Sequence, residues 1–432
     1  MRLEIERLAY GGDGIAHAPE GRTVFVRGSC PGDVVNVELV GEHDRYLKAT
    51  ISEIITASPN RVDSPCPYFG VCGGCQWQHV AYGEQLRAKT GAVIDALSRI
   101  GGIADPPVES CAASPETYGY RNKIELNAAA SNRGLELGMM RADGQGVVSI
   151  DSCLLLPQKS NKLPKAVRGA LRYLAGGERD LSLLRAGIRV ATHGRDTEIA
   201  LWTRPGPFPR KLAATTLAQA TGASGIMRVM IKDDPAKRAI AGVEVLKGRG
   251  AWKERIAGQS MLVSAPSFFQ VNTRAAETLI SLAVTAAGID GSDRVLDLYA
   301  GVGTFTLPLA EVAGEVIAVE SYGPAVSDLR RNIERAESPA FVEPGDAVRV
   351  LADIGPFDVV LVDPPRTGLS PDAVPALIGT GARRIVYVSC DPATLARDAK
   401  LLTESGYSLT KAYPVDLFPQ TYHVETVAVF CR

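Results

Sequence analysis

Val295-Leu296-Asp297-Leu298-Tyr299-Ala300-Gly301-Val302-Gly303-Thr304-Phe305 reads as a buried strand that turns through two glycines into a helix. Lacking a Cβ, Gly301 and Gly303 let the backbone approach a ligand closely, and the amides opening the next helix have no partner within it. Outward from this stretch, compact β-branched runs recur at Glu315–Val319, Val359–Val362 and Arg384–Val388, with helical segments between them. Repeated strand–helix units predict a parallel sheet wound with helices on both faces. A helical run at Thr273–Ala287 leads into this alternation, and Val424–Phe430 is expected to close the sheet as a terminal antiparallel strand.

Acids sit where those strands end. The second strand runs into Glu320, whose carboxylate suits two ribose hydroxyls. Gly345-Asp346 follows the expected third strand, where an acid meets an adenine amino group, and the fourth runs straight into Asp363-Pro364-Pro365-Arg366. Each acid alone fits a helix cap or a surface residue, and a glycine pair alone fits a plain turn. Their succession at the carboxyl ends of one sheet favours a nucleoside cofactor. A dehydrogenase shares the first two features but not the acid-Pro-Pro signature.

At 432 residues, with 46% hydrophobic and 22% charged residues, the chain has the size of two or three domains and the composition of a globular protein. No apolar run is long enough to span a bilayer, and Met1–Gly12 lacks the apolar block of a signal peptide. A cytoplasmic protein is therefore expected, in which clustered cysteines indicate metal binding or catalysis rather than disulfides. The formal net charge is −1, yet Leu156–Arg255 holds 20 Lys+Arg against 8 Asp+Glu, a surplus of +12. Such a segment fits a phosphate-binding footprint and, equally, solvated helix and hairpin faces.

Residues 1–60 carry short alternating runs (Arg2–Leu8, Thr23–Val26, Val34–Val40, Lys48–Ile55) between turn signals, which suits a five-stranded barrel of OB type. Residues 61–265 mix strand runs (Lys123–Ala128, Gly187–Ala191, Glu198–Trp202, Ile226–Ile231) with helical runs at Lys159–Ala175 and near Lys211–Ala220, an α+β domain. Residues 266–432 form the doubly wound domain. Cys66, Cys72 and Cys75 fall within ten residues, and Cys153 is the natural fourth thiol. Four thiolates suit an iron–sulfur cluster or structural zinc, and spacing alone favours zinc. Cys30, Cys111 and Cys431 have no evident partner and read as packing residues.

Four motifs, Asp297–Phe305 (DLYAGVGTF), Val362–Leu369 (VDPPRTGL), Tyr387–Asp398 (YVSCDPATLARD) and His423–Phe430 (HVETVAVF), together resemble the uracil-5-methyltransferase family that acts on ribosomal and transfer RNA. The resemblance covers the whole C-terminal half and extends to the N-terminal barrel, which is similar to that family's TRAM domain. It implies a Rossmann-like class I methyltransferase domain and S-adenosylmethionine as methyl donor. Gln270 (in SFFQVN), Tyr299, Gly301, Gly303, Glu320 and Asp363 would then be cofactor contacts, with Asp346 near the adenine. Where the family often carries Asn at the end of the glycine turn, this chain has Thr304.

Carbon 5 of uracil is a poor nucleophile until a thiolate adds to carbon 6, and a base must afterwards remove the carbon-5 proton. Cys390 ends the strand Ile385–Ser389, and the helix starting near Ala393 is expected to lower its thiol pKa through the helix dipole. The resemblance makes Cys390 the nucleophile and Glu425 the proton acceptor. Strand alternation would put His423 on the Glu425 face. Arg366 is expected to meet a phosphate or the base edge, and Phe268 and Phe269 to stack on the flipped nucleotide or pack in the core. The barrel and cysteines together resemble the branch acting on 23S ribosomal RNA, some members of which hold a [4Fe–4S] cluster on Cys66, Cys72, Cys75 and Cys153. Structured RNA is the implied partner, and a monomer the default state. The rival readings are a cytosine-5 methyltransferase, a non-catalytic RNA-binding factor and an iron–sulfur redox enzyme.

Overall fold

The computed structural model describes residues 1–131, 134–176, 180–232 and 239–432. The N-terminal sheet comprises β1 (Arg2–Glu4), β2 (Arg7–Leu8), β3 (Gly14–His17), β4 (Thr23–Arg27), β5 (Val34–Glu42) and β6 (Tyr46–Thr56), in the order β1-β5-β6-β4-β3-β2. The run read as one strand, Arg2–Leu8, breaks at Ile5-Glu6, so its two halves occupy opposite edges of the sheet. One bent segment thereby joins both edges and protects them from foreign strands. Alternation does the rest: Val24, Val26, Val35, Val37, Leu47 and Ala49 point inward to a single core.

After this six-stranded sheet, one strand more than the five expected, comes α1 (Tyr82–Arg99), a helix that apolar periodicity did not reveal. The central sheet follows, with β7 (Lys123–Ser131), β8 (Gly134–Met140), β9 (Val147–Val148), β10 (Leu183–Val190), β11 (Thr197–Thr203), β12 (Gly225–Ile231) and β13 (Ile240–Lys247) in the order β13-β12-β11-β10-β7-β8-β9. Helices α2 (Leu163–Ala175) and α3 (Arg210–Thr221) pack on it through Val167, Leu171, Leu174, Ala213 and Leu217.

A hairpin, β14 (Trp252–Ile256) and β15 (Gln259–Val263), leads into the C-terminal domain. That domain contains α4 (Thr273–Ala287), β16 (Arg294–Leu298), α5 (Thr306–Ala310), β17 (Glu315–Glu320), α6 (Gly323–Arg335), β18 (Phe341–Pro344), α7 (Ala347–Asp353) and β19 (Val359–Val362). It ends with α8 (Ala373–Gly379), β20 (Arg384–Ser389), α9 (Pro392–Glu404), β21 (Ser408–Val415) and β22 (Glu425–Cys431). The strand order is β18-β17-β16-β19-β20-β22-β21, parallel through β20. Successive residues serve opposite cores: Val295, Val359, Leu361, Val386 and Val388 face one, and Leu296, Leu298, Val360, Val362 and Ile385 the other. Burial on both faces explains why these strands read as unbroken apolar runs.

The last strand is antiparallel as expected, but it does not close the sheet. It lies between β20 and β21, leaving β21 on the edge. Even that edge is partly covered, because Val108 and Ala112 bridge in parallel to Ala412 and Val415. Two segments read as parts of the central domain thus pack on the C-terminal one. Val93, Leu97 and Cys111 enter the core beneath α9, and Trp252, Ile256, Met261 and Val263 of the hairpin enter the core beneath α4. Among the described residues no helix is long and apolar enough to cross a membrane.

Candidate active site

The glycine turn follows β16. Tyr299 (φ +67°), Gly301 (φ +58°) and Gly303 (φ +97°) all take left-handed conformations. At Gly303 a Cβ would lie 2.9 Å from Leu329 Cδ1, so a side chain is excluded twice over. Tyr299 is the exception that needs a reason, since a bulky residue rarely adopts that region outside a functional site. Glu320 is tied to the turn: its Oε2 accepts from the Gly301 amide at 2.9 Å, and its Oε1 from Ser321 and Tyr322 at 2.8 and 2.6 Å. Asp363 follows β19 directly, and its amide donates to Leu298 O at 3.2 Å. Gln270 is buried with its Oε1 unpartnered, a deficit that a ligand amide or hydroxyl would relieve. Asp346 is exposed and caps α7 through Val348 N at 3.1 Å. Thr304 lies half-buried in the same turn.

Sequence reasoning passed over Asp297, which lies beneath this turn. It is fully buried, accepts from Thr306 Oγ1 at 2.5 Å, and leaves Oδ1 unpartnered. Burial pushes its carboxyl up to about 7, with Glu320 adding to the rise.

Cys390 and Glu425 meet through strand pairing. Ser389 of β20 pairs antiparallel with Thr426 of β22, which sets Cys390, just after Ser389, at the same end of the sheet as Glu425, just before Thr426. Asp363 and Arg366 stand close enough to act on both by charge. Burial pushes the Cys390 thiol up to about 12, with Glu425 and Asp363 adding and Arg366 opposing. The expected lowering by the helix dipole is therefore corrected. Asp391, between Cys390 and α9, accepts from Ala393 N and Thr394 N at 3.0 Å each, so the amides meant to favour a thiolate already hold a carboxylate. Burial, then Asp363, raises Glu425 well above the usual carboxylate range, while burial brings Asp363 itself up to about 7.

His423 precedes β22 rather than sharing its face. Burial, with Arg366 and Lys89 nearby, lowers it to about 4, so it is a neutral ring against Tyr422 at 4.2 Å. The two phenylalanines separate: Phe269 is buried edge-on to Trp252 at 5.5 Å, whereas Phe268 is 67% exposed. Arg366 is exposed.

The loop that delivers Glu425 is anchored by segments distant from it in sequence. Lys89 Nζ, fully buried, donates to Asp416 Oδ1 at 2.5 Å and to Phe418 O at 3.0 Å. Gln85 and Gln420 exchange side-chain and backbone bonds at 3.1 and 2.9 Å, and Tyr120 OH donates to Pro419 O at 3.0 Å.

Cys66, Cys72, Cys75 and Cys153 line one small cavity, of about 40 Å³, together with Tyr68, Phe69, Met139 and Ile150. Among the described residues, no histidine or carboxylate joins them there, although Gln78 and Ser152 do. Gly73 lets the loop pass Arg141 and Met140, whose carbonyl oxygens would each lie 3.1 Å from a Cβ. Burial pushes Cys75 up to about 12 and also raises Cys72 and Cys153, the neighbouring thiols adding to all three. Among the described residues, no three of these side chains stand at single-ion spacing. Cys30 and Cys111 are buried packing residues, and Cys431 lies at the end of β22.

The basic segment divides. Arg189 is buried beside Glu198 at 3.5 Å, and Arg228 is buried over the Phe208 ring at 4.4 Å, so both serve the core. Arg195, Arg249, Lys253 and Arg255, with His193, line a cleft of about 550 Å³. Arg179, Lys237 and Arg238 of the original count lie outside the described residues.

A doubly wound sheet with this strand order, a glycine turn and acids at its carboxyl ends has the architecture of a class I methyltransferase, here behind an N-terminal β domain. Residues 253–340 and 350–432 match the tRNA (Uracil-5-)-methyltransferase family, and residues 1–51 match the TRAM domain. An uncharacterized RNA methyltransferase of Gloeobacter violaceus is 36% identical over 100% of this chain and 96% of its own length. One from Thermotoga maritima is 32% identical over 100% and 99%. The crystal structure of Pyrococcus abyssi tRNA (uracil-54, C5)-methyltransferase in complex with S-adenosyl-L-homocysteine superposes with a TM-score of 0.75, at 28% identity and 100% coverage of both chains. The chain belongs to the RNA uracil-5-methyltransferase family.

Proposed function

We propose that this protein methylates carbon 5 of a uridine in 23S ribosomal RNA through a covalent adduct with Cys390. The observation that carries this reading is the meeting of Cys390, Glu425 and Asp363 at the sheet edge that bears the glycine turn. S-adenosylmethionine supplies the electrophilic methyl group. Gln270, Tyr299, Gly301, Gly303, Glu320, Asp346 and Asp363 hold it: Glu320 for the ribose, Asp346 for the adenine, and the unpartnered Gln270 Oε1 inside the pocket.

The Cys390 thiolate adds to carbon 6 of the flipped base, and the 5,6 electron pair moves toward O4 as an enolate. Carbon 5 takes the methyl group as the methyl–sulfonium bond breaks, its electron pair staying on sulfur so that S-adenosylhomocysteine leaves. The Glu425 carboxylate, made more basic by burial, removes the carbon-5 proton, and the carbon–sulfur bond breaks to restore the thiolate. Neutral His423 and Arg366 border the site, and exposed Phe268 offers a stacking face for unstacked RNA. The basic cleft at Arg195 and Lys253 takes backbone phosphates.

Cys66, Cys72, Cys75 and Cys153 would hold a [4Fe–4S] cluster in this reading. What supports this is that the four thiols share one cavity, since thiolates suit a soft metal centre and a cluster needs wider spacing than a single ion. The protein acts in the cytoplasm as a monomer.

A transfer RNA substrate is the second reading, favoured by the full-length match to an enzyme named for transfer RNA. Labelled S-adenosylmethionine, given separately with ribosomal and transfer RNA lacking the modification, tests both. Label recovered as 5-methyluridine from the ribosomal fraction supports the proposal. Label only in transfer RNA moves the substrate, and label in neither refutes the activity.

A further inference from the structure

The N-terminal barrel touches the catalytic turn itself. Tyr10, at the head of the β2–β3 turn, donates from its hydroxyl toward Asp391 Oδ2 at 3.3 Å and Cys390 O at 3.4 Å. Its ring packs edge-on to Tyr422 at 5.3 Å, and Tyr422 in turn packs on His423. Two residues on, Gly12 O accepts from Trp77 Nε1 at 2.9 Å. Gly12 has φ +105°, and a Cβ there would lie 3.1 Å from Gln76 Cβ and 3.4 Å from Tyr422 Cδ1. The amides of Gln76 and Trp77 both donate to Gln420 O at 3.0 Å. Four segments distant in sequence therefore close on one point: the barrel turn, the end of the cysteine loop, the loop before Glu425 and the turn bearing Cys390.

We infer that Tyr10 is a positioning residue for the nucleophile, and that the barrel turn is part of the catalytic architecture rather than only an RNA-binding attachment. The inference rests on the proposed role of Cys390. Asp391 divides its carboxylate between two tasks: Oδ1 caps α9, and Oδ2 takes the Tyr10 hydroxyl. Ser389 Oγ donates to Asp391 O at 3.0 Å and accepts from Asp391 N at 3.2 Å, fixing the turn from its other side. Cys390 sits between these two restraints with no side-chain hydrogen bond of its own among the described residues. Its aim toward carbon 6 is set by the backbone on either side, and Tyr10 holds one of those sides. Displacing a reacting atom by even a fraction of its contact distance is costly, because attack requires a near-attack geometry.

Tyr10→Phe removes the hydroxyl and keeps the ring against Tyr422. In the full chain this variant is expected to lower kcat about tenfold, the loss of one hydrogen bond to a charged group expressed in the transition state, while KM for RNA stays within twofold. Alkylation of Cys390 by iodoacetamide, read peptide by peptide, is expected to change in rate, whereas alkylation of Cys431 is not. Tyr10→Leu serves as a second variant that also removes the ring contact, with a larger kcat loss expected. A wild-type kcat in both variants, beside an inactive Cys390→Ala, overturns the positioning role alone. A raised KM with an unchanged kcat also overturns it and makes Tyr10 an RNA contact. Turnover retained in Cys390→Ala overturns the covalent reading and this inference together.

Discussion

The thiol of Cys390 rises from an ordinary 9.0 to about 12, and this decides how the free protein must behave toward alkylating agents. At pH 8 it leaves a thiolate fraction of about one in ten thousand, against about one in ten for an unperturbed thiol. Iodoacetamide should accordingly modify Cys390 about a thousandfold more slowly at pH 8 than an ordinary exposed thiol. The rate should climb close to tenfold per pH unit, with no plateau below about pH 11. The assay is timed alkylation across pH 7 to 11, with quantitation of the Cys390 peptide. Two variants give the sign. Glu425→Gln removes a charge that raises the thiol and should shift the curve to lower pH, whereas Arg366→Ala removes an opposing charge and should shift it higher. A plateau at or below pH 8 in the wild type would refute the reasoning, and would restore the helix dipole as the controlling influence.

Glu425→Gln should permit methylation but not release, trapping a slowly migrating protein–RNA adduct on denaturing gels that disappears in a Cys390→Ala, Glu425→Gln double variant; absence of the adduct removes Glu425 from the base role. Lys89→Ala leaves Asp416 buried without its partner and should cost about 3–5 kcal/mol in chemical denaturation, whereas a change below 1 kcal/mol would mean that water replaces the amine. If Cys66, Cys72, Cys75 and Cys153 hold the proposed cluster, Cys72→Ser in protein purified without air should lower visible absorbance and iron content; unchanged iron content would place the metal elsewhere, and an iron-free unsubstituted protein would refute the cluster.

The C-terminal domain was legible because its signals are local. Strands buried on both faces read as β-branched runs, and the observed bounds of Arg294–Leu298 and Val359–Val362 match those runs to the residue. The glycine turn and the acids at the strand ends were readable for the same reason, each being set by the chain immediately around it. What stayed hidden depends on partners far along the chain. Helix α1 buries Gln85, Lys89, Val93 and Leu97 on one stripe, and two of these four are polar. Its apolar period is therefore interrupted exactly where it grips Asp416 and Gln420, and no hydropathy pattern exposes it. Strand β21 was missed on similar grounds, since an edge strand with residues such as Lys411 turned outward lacks the continuous run of its neighbours. The ionisation of Cys390 could not be read from its turn either, because its principal charged neighbours come from two other strands.

Crowded acids also constrain what the pocket can accept. Cys390, Asp363 and Glu425 all lie above their ordinary values, through burial first and then through acidic neighbours. A positive charge placed among them favours every ionised form at once. At a separation of about 6 Å and an effective dielectric near 20, one such charge contributes about 3 kcal/mol, or about two pKa units, to each acid. The methyl donor of this family is a sulfonium cation, while its demethylated product is a neutral thioether. Alkylation of Cys390 at pH 8 without RNA should therefore run faster with saturating S-adenosylmethionine than with saturating S-adenosylhomocysteine, after allowance for the shielding both ligands share. If the two ligands protect Cys390 equally at every pH, charge is not what prepares the thiol. Its ionisation must then await contact with the RNA base, and the acids are crowded for the proton transfer that follows methylation rather than for the attack that precedes it.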